Sequence, residues 1–175
     1  GLTVLREAWE VSAFRGADRC HLVDVRSRQE AINDPVTLGV NPFGGIMVRG
    51  SRDWQTAEKS VFMTSEGHDR RSASGATARW IYLGGKSGGK QAGIAILSHP
   101  DNTRALERVF IDPVDPVMGF AMTQKEPLIL QRPRALRVMY RFVALDGQPD
   151  RKRLDHLWND YASPPAVDVR ILKVK

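Results

Sequence analysis

An alternation of apolar and polar residues, repeated in short segments along most of the chain, most constrains the fold. It is seen at 3–14, 20–32, 44–51, 78–85, 92–99, 108–112 and 136–147. Successive side chains of a β-strand point to opposite faces, so a period of two is typical of a strand with one buried face. Turn-forming clusters rich in Gly, Pro, Asn and Asp, such as "NPFGG" and "GGKSGGK", separate the segments. The sequence therefore predicts a mostly β fold.

One segment has the period of a helix instead. In "DRKRLDHLWNDYA" the apolar side chains stand three or four residues apart, at Leu154, Leu157, Trp158 and Tyr161. Asp150 is a suitable N-cap for this helix. Because 175 residues are enough for one ordinary domain, we expect residues 1–175 to form a single antiparallel β-sandwich. It should contain two packed sheets of roughly ten strands, a helix at about 150–162 and a last strand at 166–175.

Composition and charge exclude several classes of protein. The chain has 26 Lys and Arg against 20 Asp and Glu, a net charge of +6, so a polyanionic partner has to be considered. The arginines are spread along the chain without a helix-turn-helix, zinc-finger or aromatic-basic pattern, so we expect no nucleic-acid partner. No apolar run approaches the roughly 20 residues that span a bilayer, so we expect no membrane partner. The single cysteine, Cys20, is expected to be an inert buried thiol at the start of a strand.

The familiar motifs of enzymes are missing from the sequence. The four histidines, at positions 21, 68, 99 and 156, lack the paired spacing of a metalloenzyme helix. Strands can bring distant ligands together, but the sequence predicts no metal site and names no cofactor. There is no G-x-S-x-G elbow, P-loop or dinucleotide fingerprint, which argues against serine hydrolases and nucleotide enzymes.

The segment "GIAILSHPDNTRA" places a polar cluster at the end of an apolar strand. His99 follows the strand directly, Pro100 fixes the chain direction, and Asp101 and Asn102 come next. Functional side chains are commonly carried on loops that rigid elements position. Asp and Asn are also ordinary turn residues, however, and a histidine here could simply bond a loop carbonyl. Both interpretations of the segment stay open.

Four segments, taken in order, resemble the C-terminal half of the bacterial PmoA-like family over residues 40–162. They are "NPFGGIMVRGS" with Gly44, Gly45 and Arg49, "ATARWIYLGG" with Trp80 and Gly84, "GIAILSHPDNTRA" with His99, Pro100 and Asn102, and "YRFVALDGQPDRKRLDHLWNDYA" with Arg141, Asp146 and Gly147. The chain departs from the family at "ALERVFID", where relatives often have a proline-aromatic or proline-arginine stretch. Family members are roughly twice as long, so the resemblance implies that this chain is a fragment. Its strand at 3–14 is then expected to pair with the missing N-terminal portion or with its copy in a homodimer.

The resemblance implies a soluble β-sandwich similar to the large sandwiches of sugar mutarotases, in bacteria that degrade polysaccharides. The favoured function is binding or modification of a carbohydrate or another small polar ligand. In this hypothesis His99 is the catalytic acid or base, Arg49, Asn102 and Arg141 bind the ligand, and Trp80 stacks on a sugar face. A periplasmic or secreted location is favoured over the cytoplasm. The alternative is a non-catalytic structural or interaction module, in which Trp80 is a core residue and Arg49 a structural ion-pair donor.

Overall fold

The computed structural model describes residues 2–16, 20–164 and 166, which form eleven β-strands, one α-helix and one short 3-10 helix. The strands are β1 (Leu5–Arg15), β2 (Cys20–Ala31), β3 (Val36–Leu38), β4 (Ile46–Arg49), β5 (Ser60–Thr64), β6 (Trp80–Ser87), β7 (Lys90–Ser98), β8 (Arg108–Ile111), β9 (Val117–Ala121), β10 (Leu128–Leu130) and β11 (Leu136–Asp146). The α-helix, α1, is Arg151–Ala162, and the 3-10 helix is Arg52–Trp54.

The strands form three antiparallel sheets. The largest has six strands in the order β1-β2-β11-β7-β6-β5, and two smaller sheets have the orders β4-β9-β8 and β10-β3. The paired strands run antiparallel in every sheet. The predicted fold class, mostly β with antiparallel sheets and one C-terminal helix, is confirmed.

The six-stranded sheet is covered on both faces near its centre. On one face, Ile81 and Ile96 pack with residues of the smaller sheets, among them Phe120. On the other face, Trp80 and Leu97 pack against α1. Neighbouring residues of a strand therefore enter different cores, because their side chains alternate between the faces. This arrangement explains why β6 and β7 are almost wholly apolar, as strands buried on both faces are.

Helix α1 begins and ends as predicted. The Asp150 carboxylate accepts a hydrogen bond from the backbone N–H of Lys152 at 2.9 Å, which satisfies one of the donors left free at a helix N-terminus. Leu154 and Tyr161 are the buried side chains of the helix. The apolar stripe read from the sequence is thus the surface that holds α1 against the sheet.

Strand β1 differs from its prediction as a half-buried strand. It pairs with β2 over its whole length, from Leu5 opposite Ala31 to Arg15 opposite His21. Most of its side chains are nonetheless exposed, because β1 is the edge strand and the covering layers do not extend over it. No described strand lies along its outer edge, so pairing of that edge with another polypeptide stays a prediction. The last predicted strand, at 166–175, lies outside the described residues except for residue 166.

Candidate functional site

The predicted residues His99 and Arg141 meet at one residue of α1. The His99 ring contacts the Tyr161 ring edge to face, with centroids 5.0 Å apart, and the Arg141 guanidinium lies 4.6 Å above the same ring. Arg141 also makes two hydrogen bonds to the Asp24 carboxylate, of 2.6 Å from Nε and 2.9 Å from Nη2. This bidentate geometry occupies the Nε–Nη2 edge of the guanidinium, and Tyr161 covers one of its faces, so both are taken up within the protein.

Trp80 lies in the same layer but offers no face to solvent. Its side chain is 0% exposed, and the indole Nε1–H donates to Asp155 Oδ1 at 2.9 Å. The Arg151 guanidinium lies 5.6 Å from the centre of the ring. These contacts attach α1 to the start of β6, and they leave no surface of Trp80 on which a sugar could stack in this conformation.

Asn102 and Arg49 lie apart from the contacts that His99, Arg141 and Trp80 make with α1. The Asn102 side chain is buried, and its amide contacts Ser98, Glu107 and the backbone of Met139. Arg49 ends β4 in the three-stranded sheet, and its exposed guanidinium pairs with Asp115 at 3.1 Å. The five predicted residues therefore do not share one cavity.

The cavity beside His99 is small. Its volume is about 140 Å³, and Arg79, Leu106 and Trp158 also line it. The imidazole Nδ1 accepts a hydrogen bond from the backbone N–H of Asp101 at 3.1 Å, as a turn histidine would. Cavities that bind drug-sized ligands have volumes of roughly 300–1,000 Å³, so this one admits only a smaller group.

A larger cleft opens between the β1 end of the six-stranded sheet and the loops facing it. Its volume is about 360 Å³. One wall consists of alternate residues of β1, β2 and β11, and the other consists of residues near 38–46 and 122–123. Trp9 stands on this wall with 62% of its surface exposed. By volume and by its exposed indole, the cleft is the better candidate for a ligand site.

Two glycines shape the facing wall. A Cβ atom on Gly44 would lie 1.8 Å from Thr123 Oγ1, and one on Gly45 would lie 2.0 Å from the Phe120 carbonyl oxygen. Backbone hydrogen bonds join the same segments, from Asn41 N to Thr123 O at 3.0 Å and from Thr123 N to Gly44 O at 3.1 Å. A larger residue would not fit at either position, because Gly44 lies against the Thr123 side chain and Gly45 lies against the Phe120 backbone.

Glu7 provides a carboxylate next to Trp9 in the cleft. Its Oε1 accepts hydrogen bonds from Ser27 Oγ at 2.5 Å and from Gln29 Nε2 at 2.8 Å. Burial acts to raise the pKa of Glu7, but the bonds from Ser27, Gln29 and Trp9 together outweigh it and lower the pKa. The group is therefore ionised at neutral pH and accepts hydrogen bonds there.

A buried polar cluster lies behind the cleft wall. Tyr140 lines the cleft, and its hydroxyl donates to Glu107 Oε2, while Asn102 Nδ2 donates to Glu107 Oε1 at 3.0 Å. Glu107 is 1% exposed. Burial raises the pKa of Glu107 to about 7, although the bonds from Tyr140 and Asn102 partly oppose the rise. Sequence reasoning missed this group, since nothing local to "ALERVF" signals a buried carboxyl.

The raised pKa of Glu107 predicts that the domain loses stability as the pH rises. The folded protein binds a proton more tightly than the unfolded chain, whose glutamate has a pKa near 4.5. The free energy of unfolding should therefore fall between about pH 4.5 and pH 7, by roughly 3 kcal/mol at about 1.4 kcal/mol per pKa unit. Urea denaturation of wild type and Glu107→Gln across this range measures the effect. An equal pH dependence in both proteins would contradict it, because the glutamine cannot titrate.

Two further properties concern the described part of the chain. Within residues 2–16, 20–164 and 166, no three His, Cys, Asp or Glu side chains are grouped so that they could hold a metal ion. The helix in the same residues is too short and too polar to cross a membrane.

The fold and the cleft define a class of protein: an antiparallel β-sheet domain with a packed helix and a cleft large enough for a small ligand. The chain belongs to the family of unknown function DUF6807, whose pattern matches residues 1–159. No curated protein and no solved structure is significantly similar to the chain. The family description assigns no activity, so function has to be argued from the site.

Proposed function

We propose that the domain binds a carbohydrate in the cleft between β1 and the loop 39–45. The observation that carries the proposal is an exposed tryptophan beside an ionised carboxylate in a cavity of about 360 Å³. The indole of Trp9 presents an apolar face to the C–H groups of a pyranose ring. The carboxylate of Glu7 accepts hydrogen bonds from hydroxyl groups.

Other polar groups of the cleft suit the same ligand. Gln29, Asn41 and Thr123 add amide and hydroxyl groups to a lining that is mostly apolar. Binding sites of this kind are mostly apolar, with a few polar groups that fix the orientation of the ligand. The residues that line the cleft carry one negative charge, that of Glu7. This charge favours a neutral polyhydroxylated ligand over an acidic one.

We also propose that the chain is related to the PmoA-like proteins that its sequence resembles. This relationship is supported by the order of the four resembling segments and by the position of Gly44 and Gly45, which form one wall of the cleft. The likeness to the sandwiches of sugar mutarotases is proposed on the same ground. A family motif whose residues shape the cleft is what a shared ligand site would require.

Substitution of Trp9 tests the site. Isothermal titration with a panel of neutral mono- and oligosaccharides should identify a bound sugar, and Trp9→Ala should weaken its binding at least about fivefold, since loss of ring stacking costs on the order of 1 kcal/mol or more. Phe14→Ala is the matched control, because Phe14 is an exposed aromatic residue on the opposite face of the same strand. It should bind the sugar normally.

A comparison with His99→Ala separates this proposal from the site predicted at the end of β7. Loss of binding or turnover in His99→Ala, with Trp9→Ala unaffected, would place the ligand at the smaller cavity and contradict the cleft proposal. Failure of every sugar in the panel to bind would contradict the carbohydrate proposal altogether.

A further inference from the structure

Among the described residues, no strand pairs with the outer edge of β1. Natural proteins commonly protect such edges with Lys, Pro, bulges or very short strands. The sequence of β1, LREAWEVSAFR, has neither Lys nor Pro, and its pairing with β2 is regular over eleven residues. Trp9, Val11 and Phe14 are 62%, 60% and 48% exposed. Four of its eleven residues are charged, but a strand this long and regular, with exposed apolar side chains between the charges, is suited to pairing with another strand.

The backbone hydrogen bonds show which groups of β1 point away from β2. Ile32 N donates to Val4 O at 3.0 Å, and Gly16 N donates to Cys20 O at 2.9 Å, at the two ends of the β1–β2 ladder. In an antiparallel pair, hydrogen-bonded residues alternate with residues whose N–H and C=O point to the opposite edge. Even-numbered residues of β1 thus bond to β2. The odd-numbered residues, from Leu5 to Arg15, direct their backbone groups outward.

We propose that this edge pairs with β1 of a second copy of the chain, antiparallel and with the two-fold axis at Val11. This register places Glu7 opposite Arg15 of the second copy, and symmetry repeats the ion pair at the other end. It also places Trp9 opposite Ala13 of the second copy. The odd-numbered residues then meet each other, so their outward backbone groups form the new hydrogen bonds.

Charge decides between this register and its neighbour. A two-fold axis at Glu10 would pair the whole of β1, but it would set Glu10 directly opposite its own copy. Like charges directly opposite on a sheet are destabilising, whereas opposite charges stabilise the pair. With the axis at Val11, Glu10 faces Ser12, and both Glu7 side chains face arginines. The two six-stranded sheets join into one continuous sheet, with each β1 edge paired from Glu7 to Arg15.

The pairing would change the cleft as well. Glu7 and Trp9 line the cleft and belong to the outward-bonding residues of β1. In the dimer, Arg15 and Ala13 of the second copy stand beside them on the same face of the sheet. Each copy therefore contributes a cation to the open end of the other's cleft. The dimer itself goes beyond the proposed carbohydrate binding and does not depend on it.

Light scattering on wild type and Val11→Pro tests the dimer. Wild type should have twice the mass of one chain. Val11→Pro should have the mass of one chain and a melting temperature close to that of the wild type dissociated by dilution, since the N–H that proline removes points away from β2. Ser12→Pro is the control, because it removes an N–H that bonds to β2 and should destabilise the fold itself. The proposal would be overturned if the wild-type protein stayed monomeric over a wide range of protein concentrations. Protection of the Val11 amide from exchange in that monomer would show another segment on the edge.

Cysteine cross-linking tests the register. Residues directly opposite in a hydrogen-bonded pair have Cα atoms about 5.5 Å apart, which a disulfide can span. Val11→Cys should therefore form a disulfide-linked dimer under mild oxidation, and the native Cys20 is buried. Efficient cross-linking of Glu10→Cys with none of Val11→Cys would overturn the proposed register.

Charge reversal gives an independent measure of the same register. Arg15→Glu should weaken dimerisation roughly tenfold or more, and the double variant with Glu7→Arg should restore it. A double variant that folds but stays monomeric would contradict the Glu7–Arg15 pairing.

Discussion

Arg70→Leu should lower the free energy of unfolding by about 3 kcal/mol and the melting temperature by roughly 10 °C. Arg70 is 7% exposed, and its guanidinium makes six hydrogen bonds. The acceptors are the backbone carbonyls of Trp54, Thr56, Asp112, Val114 and Asp115 and the hydroxyl of Ser60. One side chain thus joins the loop that follows the 3-10 helix to the turn between β8 and β9. Leucine fills part of the volume but cannot donate any of these six hydrogen bonds.

The neighbouring arginine is a matched control for this prediction. Arg71 lies in the same loop, but its side chain is exposed. Arg71→Leu should change stability by less than about 0.5 kcal/mol, as surface substitutions usually do. Thermal and urea denaturation of both variants measures the difference. Equal effects of the two substitutions would show that water replaces the Arg70 donors and that the guanidinium does not hold the loops together.

The long strands and the helix could be predicted because their signals are local. Seven alternating segments correspond to β1, β2, β4, β6, β7, β8 and β11, and Asp150 with the apolar stripe marks α1. The strands β3, β5, β9 and β10 were not predicted. They have three to five residues each, and β5 (SVFMT), β9 (VMGFA) and β10 (LIL) lack the alternation of apolar and polar residues by which a strand is recognised. The pairing of β10 with β3 also joins segments that are distant in the chain.

A comparison of Trp80 with Trp9 shows why the site was harder to predict than the fold. Trp80 and Trp9 both lie in alternating segments, yet one is 0% and the other 62% exposed. The difference comes from strand order: β6 lies inside the sheet with both faces covered, and β1 lies at the edge. Strand order is a property of the tertiary fold. The charged neighbours of Trp9, in "REAWE", were the one local sign of exposure.

Tertiary structure also explains why His99 and Asn102 do not share one site, although they lie in the same short segment. The chain turns after β7 with a hydrogen bond from Asn102 N to His99 O at 3.2 Å. From this turn the two side chains diverge: His99 contacts Tyr161 on the α1 side, and Asn102 contacts Glu107 in the interior. The sequence placed both residues at the end of the strand, as the structure does. It could not indicate that a turn would direct them to different layers.

Asn102→Ala should destabilise the domain by about 3 kcal/mol and leave sugar binding per folded molecule unchanged. The Asn102 amide nitrogen donates to Ser98 Oγ at 3.1 Å, Glu107 Oε1 at 3.0 Å and Met139 O at 3.2 Å, and Oδ1 accepts from Met139 N at 2.6 Å. Alanine abolishes these bonds at a buried position and leaves the Glu107 carboxyl with fewer donors. The variant should also raise the pKa of Glu107 further, because the bond from Asn102 lowers it.

The neighbouring Asp101 separates a structural role of this segment from a ligand-binding role. Asp101 follows the same strand, but its side chain is 81% exposed, so Asp101→Ala should leave both stability and binding nearly unchanged. A large loss of stability in Asn102→Ala with normal binding would identify Asn102 as the residue that holds the β7 turn to β11 and keeps Glu107 paired. Loss of binding with an unchanged melting temperature would instead support the ligand-binding role predicted from the sequence. The two roles differ because a buried amide with four bonds stabilises the fold, whereas an amide that binds a ligand needs a donor or acceptor left over.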